Sequence, residues 1–196
     1  EKWNDNIKEV IEKLDSLVKE GKIRHYGVSN ETSWGLMKHL TESTNNQLSR
    51  CKTIQNPYSL LNRIYETGLA EISMREKVGL LAYSPMAFGM LSGKYLDGKT
   101  PENSRLTLFP VFSRYNSDQS LFLTQKYSDL AKKLNISLAQ LSLAFVTQQP
   151  FVTSNIIGAT TMEQLKENIS SIHVELSKET LQIIDVIQEL QPNPAP

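Results

Sequence analysis

The chain has 196 residues, 39% hydrophobic and 21% charged, with 21 Lys and Arg against 21 Asp and Glu and a formal net charge of zero. This is globular composition. Balanced charge excludes a broad electrostatic footprint for nucleic acid or an anionic membrane, and no run reaches the roughly 18 apolar residues of a membrane helix. A single cysteine, Cys51, excludes an internal disulfide framework and a cysteine-based zinc cluster, and fits a reducing, cytoplasmic setting.

In chain order, Ile7, Val10, Ile11, Leu14, Leu17 and Val18 recur at helical spacing, with Asp5 as cap and Gly21 as stop. "KIRHYGVSN" reads as a strand from Ile23 to Val28, and Trp34, Met37 and Leu40 mark the next helix. A strand around Ile54 and a helix from Glu66 to Glu76 follow. "GLLAYS", Gly79 to Ser84, is a continuous apolar strand of the kind buried on both faces. Pro85 to about Asp118 is a long irregular stretch rich in glycine and turn residues, a length that in a compact domain is functional or disordered. Helices Leu121–Leu134 and Leu138–Gln148 follow, the second with a capping box from Ser137 and Gln140. "NIIGA" is the fourth strand, and Thr160 with Glu163 forms a capping box for the helix after it. Ser177 caps a last helix, and residues 192–196 form a proline-rich, loosely held tail after a domain spanning 1–191.

Repeated strand–helix units argue an α/β fold with a parallel sheet. Four such units suit half of a (β/α)8 TIM barrel, with a small doubly wound sheet as the alternative. A dinucleotide-binding Rossmann domain is disfavoured, because no G-x-G-x-x-G follows the first strand.

Parallel α/β folds bind ligands at the C-terminal ends of their strands. Here those ends are Ser29-Asn30, Gln55-Asn56, Tyr83-Ser84-Pro85 and Gly158-Ala159-Thr160-Thr161, all polar. Ser29 and Asn30 offer a hydroxyl and an amide, or simply cap the next helix. Gln55 sits where an apolar residue would be cheaper, and its amide matches another amide or neighbouring backbone. Tyr83 presents a flat face to a planar ring, or packs as a core aromatic. The following loop carries Gly89, Gly93 and Gly98 with Lys94, Lys99 and Arg105, a phosphate-gripping mixture or a solvated surface. The helix opening at Met162 supplies free N–H groups. In that order the signals fit a ligand with a ring carboxamide at one end and phosphates further along, as in a nicotinamide dinucleotide.

The stretches "GKIRHYGVSN", "IQNPYSLLNR", "LLAYSPMAFGMLSGKY" and "IIGATTMEQLKEN" resemble the C-terminal half of the aldo-keto reductase family, in family order and over nearly the whole chain. Within the family they are most similar to the bacterial Tas-like and potassium-channel beta-subunit branches. The resemblance implies hydride transfer between NADP and an aldehyde or ketone. It implies that Ser29, Asn30 and Gln55 bind the nicotinamide carboxamide and that Tyr83 stacks on its ring. Ser84, Pro85, Met86, Ala87 and Phe88 would line the pyrophosphate, while Lys94 and Arg105 close over the phosphates, Arg105 favouring the 2′-phosphate. Gly158, Thr160 and Gln164 would support the adenosine phosphate, and Glu167 and Asn168 the adenine. The family's catalytic Asp, Tyr, Lys and His lie on its first four strands, so this chain would be a cofactor-binding fragment without them. The opening directly into a helix at Glu1 points the same way. His25, His39 and His173 match no catalytic position and read as surface or packing residues. The expected partners are a small carbonyl compound and either the other half of a barrel or a second copy, with no nucleic acid, membrane or metal. A non-enzymatic NADP-binding or redox-sensing module is the alternative function.

Overall fold

The computed structural model describes residues 6–99, 101–102 and 104–196. Its elements in order are α1 (Ile7–Lys19), β1 (Gly27–Ser29), α2 (Ser33–Asn45), β2 (Thr53–Pro57), α3 (Leu69–Glu76), β3 (Gly79–Tyr83), α4 (Arg105–Leu108), α5 (Asp118–Lys133), α6 (Leu138–Thr147), β4 (Val152–Asn155), α7 (Met162–Ser170) and α8 (Lys178–Leu190). The four strands form one sheet in the order β1-β2-β3-β4, every pair parallel. Strand order thus follows chain order, as successive right-handed βα units produce. The open edges among the described residues are β1 and β4.

The sheet is covered on one face only. Ile54, Asn56, Leu80 and Ala82 are buried, whereas Thr53, Gln55, Pro57, Gly79, Leu81 and Tyr83 are half-buried. The period of two means that the second set lines the other face. The expectation that "GLLAYS" is buried on both faces is therefore corrected: helices pack one side, and four strands do not close over the other. Beneath the covered side, α6 is apolar nearly all round and buries Leu141, Leu143, Ala144, Phe145 and Val146.

Local rules account for most element ends. Thr32, Ser117, Ser137 and Ser177 each accept a hydrogen bond from the third residue beyond, and Ser137 and Gln140 form the full capping box. The expected cap Asp5 lies outside the described residues. β1 is shorter than Ile23–Val28, since upstream of Gly27 only the Lys52 N–H to Tyr26 carbonyl bond of 2.9 Å continues the pairing. Gly27 itself is needed, because a Cβ there would come within 2.7 Å of the Thr53 carbonyl oxygen. The helix expected over Glu66–Glu76 is split at Gly68 into a 3-10 turn, Ile64–Thr67, and α3.

Two expectations at the C-terminal end are overturned. The fourth strand is Val152–Asn155 and not Asn155–Ala159. Beyond it only the Ile156 N–H still bonds the sheet, at 2.8 Å to the Ala82 carbonyl. The next backbone groups are claimed by α7: the Asn168 side-chain amide donates to the Gly158 carbonyl at 3.2 Å, and the Thr160 N–H donates to Gln164 Oε1 at 2.9 Å. The cap of α7 is accordingly Thr161, which accepts from the Gln164 N–H, and not Thr160 with Glu163.

The proline-rich tail is docked. Ala195 is fully buried and donates its N–H to the Leu61 carbonyl at 3.2 Å, while Asn193 Oδ1 accepts from the Arg63 N–H at 2.6 Å. Arg63 is the hub of this corner. It pairs with Glu66 at 2.7 Å and Asp185 at 2.8 Å, lies 5.2 Å from the Phe145 ring centre, and shares Glu66 with the Tyr58 hydroxyl. At the opposite end of the first unit, buried Asp15 of α1 accepts from the Ser49 N–H and hydroxyl and pairs with Lys19 at 2.7 Å. Among the described residues no helix is long and apolar enough to cross a membrane, and no group of three or more His, Cys, Asp or Glu is placed to hold a metal ion. His39 is buried on α2, whereas His25 and His173 are exposed.

Candidate functional site

The C-terminal strand ends bring the first predicted residues together. Register pairs Ser29 with Gln55 and Pro57 with Tyr83, so their side chains share the uncovered face. The Ser29 hydroxyl and the Asn30 N–H both donate to the Gln55 carbonyl at 3.0 Å. The Tyr83 hydroxyl donates to Asn30 Oδ1 at 2.8 Å, across two strand positions. Burial, then Tyr115, raises the Tyr83 pKa, with Arg114 opposing. The phenol therefore stays a hydrogen-bond donor through the neutral range. The Asn30 amide nitrogen and the Gln55 side chain are left facing the open side.

The backbone at this edge is unusual. Asn30, Ser84, Ala87 and Phe88 have φ of 56°, 54°, 45° and 57°, a left-handed conformation that costs non-glycine residues of order 1 kcal/mol or more each. Three of the four lie in the five residues after β3, where the chain doubles back as a 3-10 turn, Ala87–Ser92. The turn is fixed by Ala87 N–H to Ser84 carbonyl and Gly89 N–H to Met86 carbonyl bonds, each 2.8 Å. Pro85 and Ala87 are buried, whereas Ser84, Met86 and Phe88 remain half-buried at the surface of the turn.

The long loop beyond is folded over aromatic anchors. The Tyr95 hydroxyl accepts from the Leu106 N–H at 3.2 Å, and Lys94 leans over the Tyr95 ring at 5.2 Å. Lys94 also fills the space beside Gly89, where an added Cβ would lie 3.2 Å from its Nζ. Arg105 lies over the Phe88 ring at 4.7 Å, and that ring stacks on Tyr115 at 4.8 Å. Arg105 and Lys94 are exposed, and neither pairs with a carboxylate among the described residues. Arg114 and Tyr115 were missed by sequence reasoning. The available signal was an aromatic–basic pair, "RY", inside an already suspect loop.

The remaining predicted residues form a separate group. Gly158, Thr160, Gln164 and Asn168 are joined by the turn-holding bonds described above, and Glu167 accepts at its carbonyl from the Ser170 hydroxyl. Gly158 has open space around it. Among the described residues no hydrogen bond joins this group to Lys94 or Arg105. The sheet alone makes them neighbours, since β4 lies beside β3. A cavity of about 470 Å³ lies behind the loop, between Ser92–Asp97 and α5, with Lys94 and Lys132 on its wall. It does not open over the strand ends, where the site is a face and not a hole.

This edge offers amide and hydroxyl groups beside a tethered phenol, then a strained turn, then two cations that pair with no carboxylate among the described residues, and a helix N-terminus. Comparison with known proteins gives the arrangement a family. The aldo/keto reductase family profile matches residues 1–189. The Tas protein of Escherichia coli is 48% identical over 199 aligned positions, covering 99% of this chain and 58% of its own length. An aldo-keto reductase of Babesia bovis is 36% identical, over 83% of this chain and 59% of its own, and a potassium channel beta subunit of Schizosaccharomyces pombe, itself a putative assignment, is 28% identical over 95% and 56%. The chain spans a little under three-fifths of the length of these relatives. Its four parallel βα units are half of the eight in that family's barrel, and the chain belongs to the aldo/keto reductase family.

Proposed function

We propose that this chain is the cofactor platform of an NADP-dependent reductase acting on aldehydes or ketones. The observation that carries the reading is the Tyr83–Asn30 tether beside Ser29 and Gln55. Together they place a phenol ring and an uncommitted amide on adjacent strand ends, the two groups that a nicotinamide ring and its carboxamide call for. Ser29, Asn30 and Gln55 hold the carboxamide, and Tyr83 supplies a flat contact for the ring. The turn Ser84–Phe88 gives backbone to the pyrophosphate. Lys94 and Arg105 take the phosphates, Arg105 through its planar fork. Gly158, Thr160 and Gln164 take the adenosine phosphate, with Glu167 and Asn168 at the adenine. When bound, the cofactor supplies the hydride, and the chain's residues fix its orientation, with Tyr83 against one face of the ring.

The family resemblance puts the proton donor and its partners on strands other than these four, so the isolated 196-residue chain reduces no carbonyl. Reduction by it above the uncatalysed rate with NADPH would overturn that statement. The open edges β1 and β4 are where the rest of a barrel pairs; a stable monodisperse 22.2 kDa monomer would count against such pairing. The cytoplasm, with its reduced thiols, is the compartment that suits buried Cys51.

A second reading, an NADP-binding interaction or redox-sensing module, is favoured by the likeness to a channel beta subunit. The two separate on one experiment with the full-length protein. Both expect NADPH to quench intrinsic fluorescence, with Tyr83→Ala weakening the titration about tenfold. Only the reductase reading expects steady-state turnover of a small aldehyde. Absence of quenching would remove both.

A further inference from the structure

We infer that Tyr115 is a positioning residue for phosphate recognition: through Phe88 it presents the edge of Arg105 to the cofactor and so sets the preference for NADP over NAD. The inference rests on the reading of Arg105 given above and adds two residues to it.

An arginine grips a phosphate through the edge of its guanidinium. Its five N–H donors lie around the rim of a flat ion, and both faces are free to stack. A carboxylate partner would occupy the rim. An aromatic partner occupies a face and leaves the rim open. Arg105 has the second kind, the Phe88 ring at 4.7 Å, and among the described residues no carboxylate pairs with it. An exposed arginine otherwise loses rotamer freedom when it binds. A ring that holds it beforehand removes part of that cost.

Phe88 can hold Arg105 only if it is itself held. Its backbone is left-handed at φ 57°, next to Ala87 at 45°, conformations a flexible loop would relax out of. Beside the packing of Phe88 against the core, Tyr115 opposes that relaxation. It is 2% exposed and stacks on Phe88 at 4.8 Å with an interplanar angle of 21°. Arg114 lies over the Tyr115 ring at 4.9 Å and donates to its hydroxyl at 3.2 Å. Beyond that, the Ser120 hydroxyl of α5 donates to the Arg114 carbonyl at 3.3 Å. The first turn of a regular helix thus fixes Arg114 and Tyr115, Tyr115 fixes Phe88, and Phe88 carries Arg105.

The test uses the full-length protein and the ratio of NADH to NADPH dissociation constants. Arg105→Ala should collapse that ratio toward one. Phe88→Leu and Tyr115→Leu should each weaken NADPH about fivefold and NADH less than twofold. Tyr115→Phe, which keeps the ring, should stay within about twofold of the parent for both. In an Arg105→Ala background, Phe88→Leu should leave the ratio unmoved, the coupling expected of residues acting through one another. Equal losses for both cofactors would mean that Tyr115 only stabilises the fold, and the inference fails. Collapse by Arg105→Ala with no change in Phe88→Leu overturns the inference alone. An unchanged ratio in Arg105→Ala overturns the 2′-phosphate reading and the inference together. Where Tyr115→Leu does not fold, Phe88→Leu, half-buried and similar in shape, decides the matter.

Discussion

Arg63 and Arg105 each lie over a phenylalanine, Arg63 at 5.2 Å from the Phe145 ring and Arg105 at 4.7 Å from Phe88, yet their surroundings are opposite. The Arg63 side chain is 15% exposed, and its Nε, Nη1 and Nη2 are each engaged by Glu66 or Asp185 over an aromatic face. Arg105 is exposed, and only a face of it is used. Arg63 closes a corner in which the β2 loop, α8 and the C-terminal tail meet. Arg105 opens the one-turn helix α4, and its donors meet no carboxylate among the described residues. A guanidinium with a filled rim ties a structure together, and one with an empty rim awaits an anion. The same contrast separates the two Asn side chains. Asn193 Oδ1 is spent on the Arg63 N–H, while Asn30 spends its oxygen on Tyr83 and keeps its amide nitrogen for the open face.

The largest expected effect breaks the closed side. Arg63→Ala leaves Glu66 with a buried phenol and no cation, and should cost about 3 kcal/mol of unfolding free energy; Asp185, half in water, adds little. Chemical denaturation of the full-length protein measures it, and NADPH affinity of the folded fraction should be unchanged. Arg105→Ala is the reverse experiment. Its stability should stay within about 0.5 kcal/mol of the parent, while NADPH binding weakens about tenfold. If the two variants exchanged phenotypes, the division into closed and open arginines would be wrong.

A smaller effect tests the tail. Asn193→Ala removes the acceptor for the Arg63 N–H and should cost about 1 kcal/mol, read as a lower denaturation midpoint. No loss would return the tail to the loosely held state expected from its composition.

The smallest effect is electrostatic and lies far from the loop. Lys19 first, then the Ser49 N–H and hydroxyl, lower the Asp15 pKa to about 2 from 3.8. A carboxylate depressed in the folded state contributes stability that is complete above the unfolded value of about 4 and is lost as pH falls through the folded value. Thermal midpoints should therefore drop between pH 4 and 2 more steeply in the parent than in Asp15→Asn. Parallel curves would show that the carboxylate is not linked to folding.

Much of the fold was legible because its signals are local. Apolar periodicity placed the helices, the Ser137–Gln140 capping box and the Ser177 cap fixed the starts of α6 and α8, and "GLLAYS" and "TIQN" marked their strands. What failed were features decided at a distance. "NIIGA" has strand propensity, but Gln164 and Asn168 on α7 claim its backbone, and the ladder stops at Asn155 apart from one bond. The tail has the composition of a free end, but Arg63 and Leu61, some 130 positions earlier, offer it partners. Within the candidate site, Ser29, Asn30, Gln55 and Tyr83 could be named from strand ends alone. Tyr115 could not, because it meets Phe88 across the loop, a contact that no spacing encodes.

NADPH is expected on the open face of the four strand ends. Backbone amide shifts of the isotopically labelled full-length protein, titrated with NADPH, test it most directly. The prediction is saturable movement at Ser29, Asn30, Gln55, Ser84, Met86–Phe88 and Thr160–Gln164, with Arg63, Asn193 and Ala195 still. Saturable binding that moves the Arg63 corner and leaves the strand ends unmoved would contradict it.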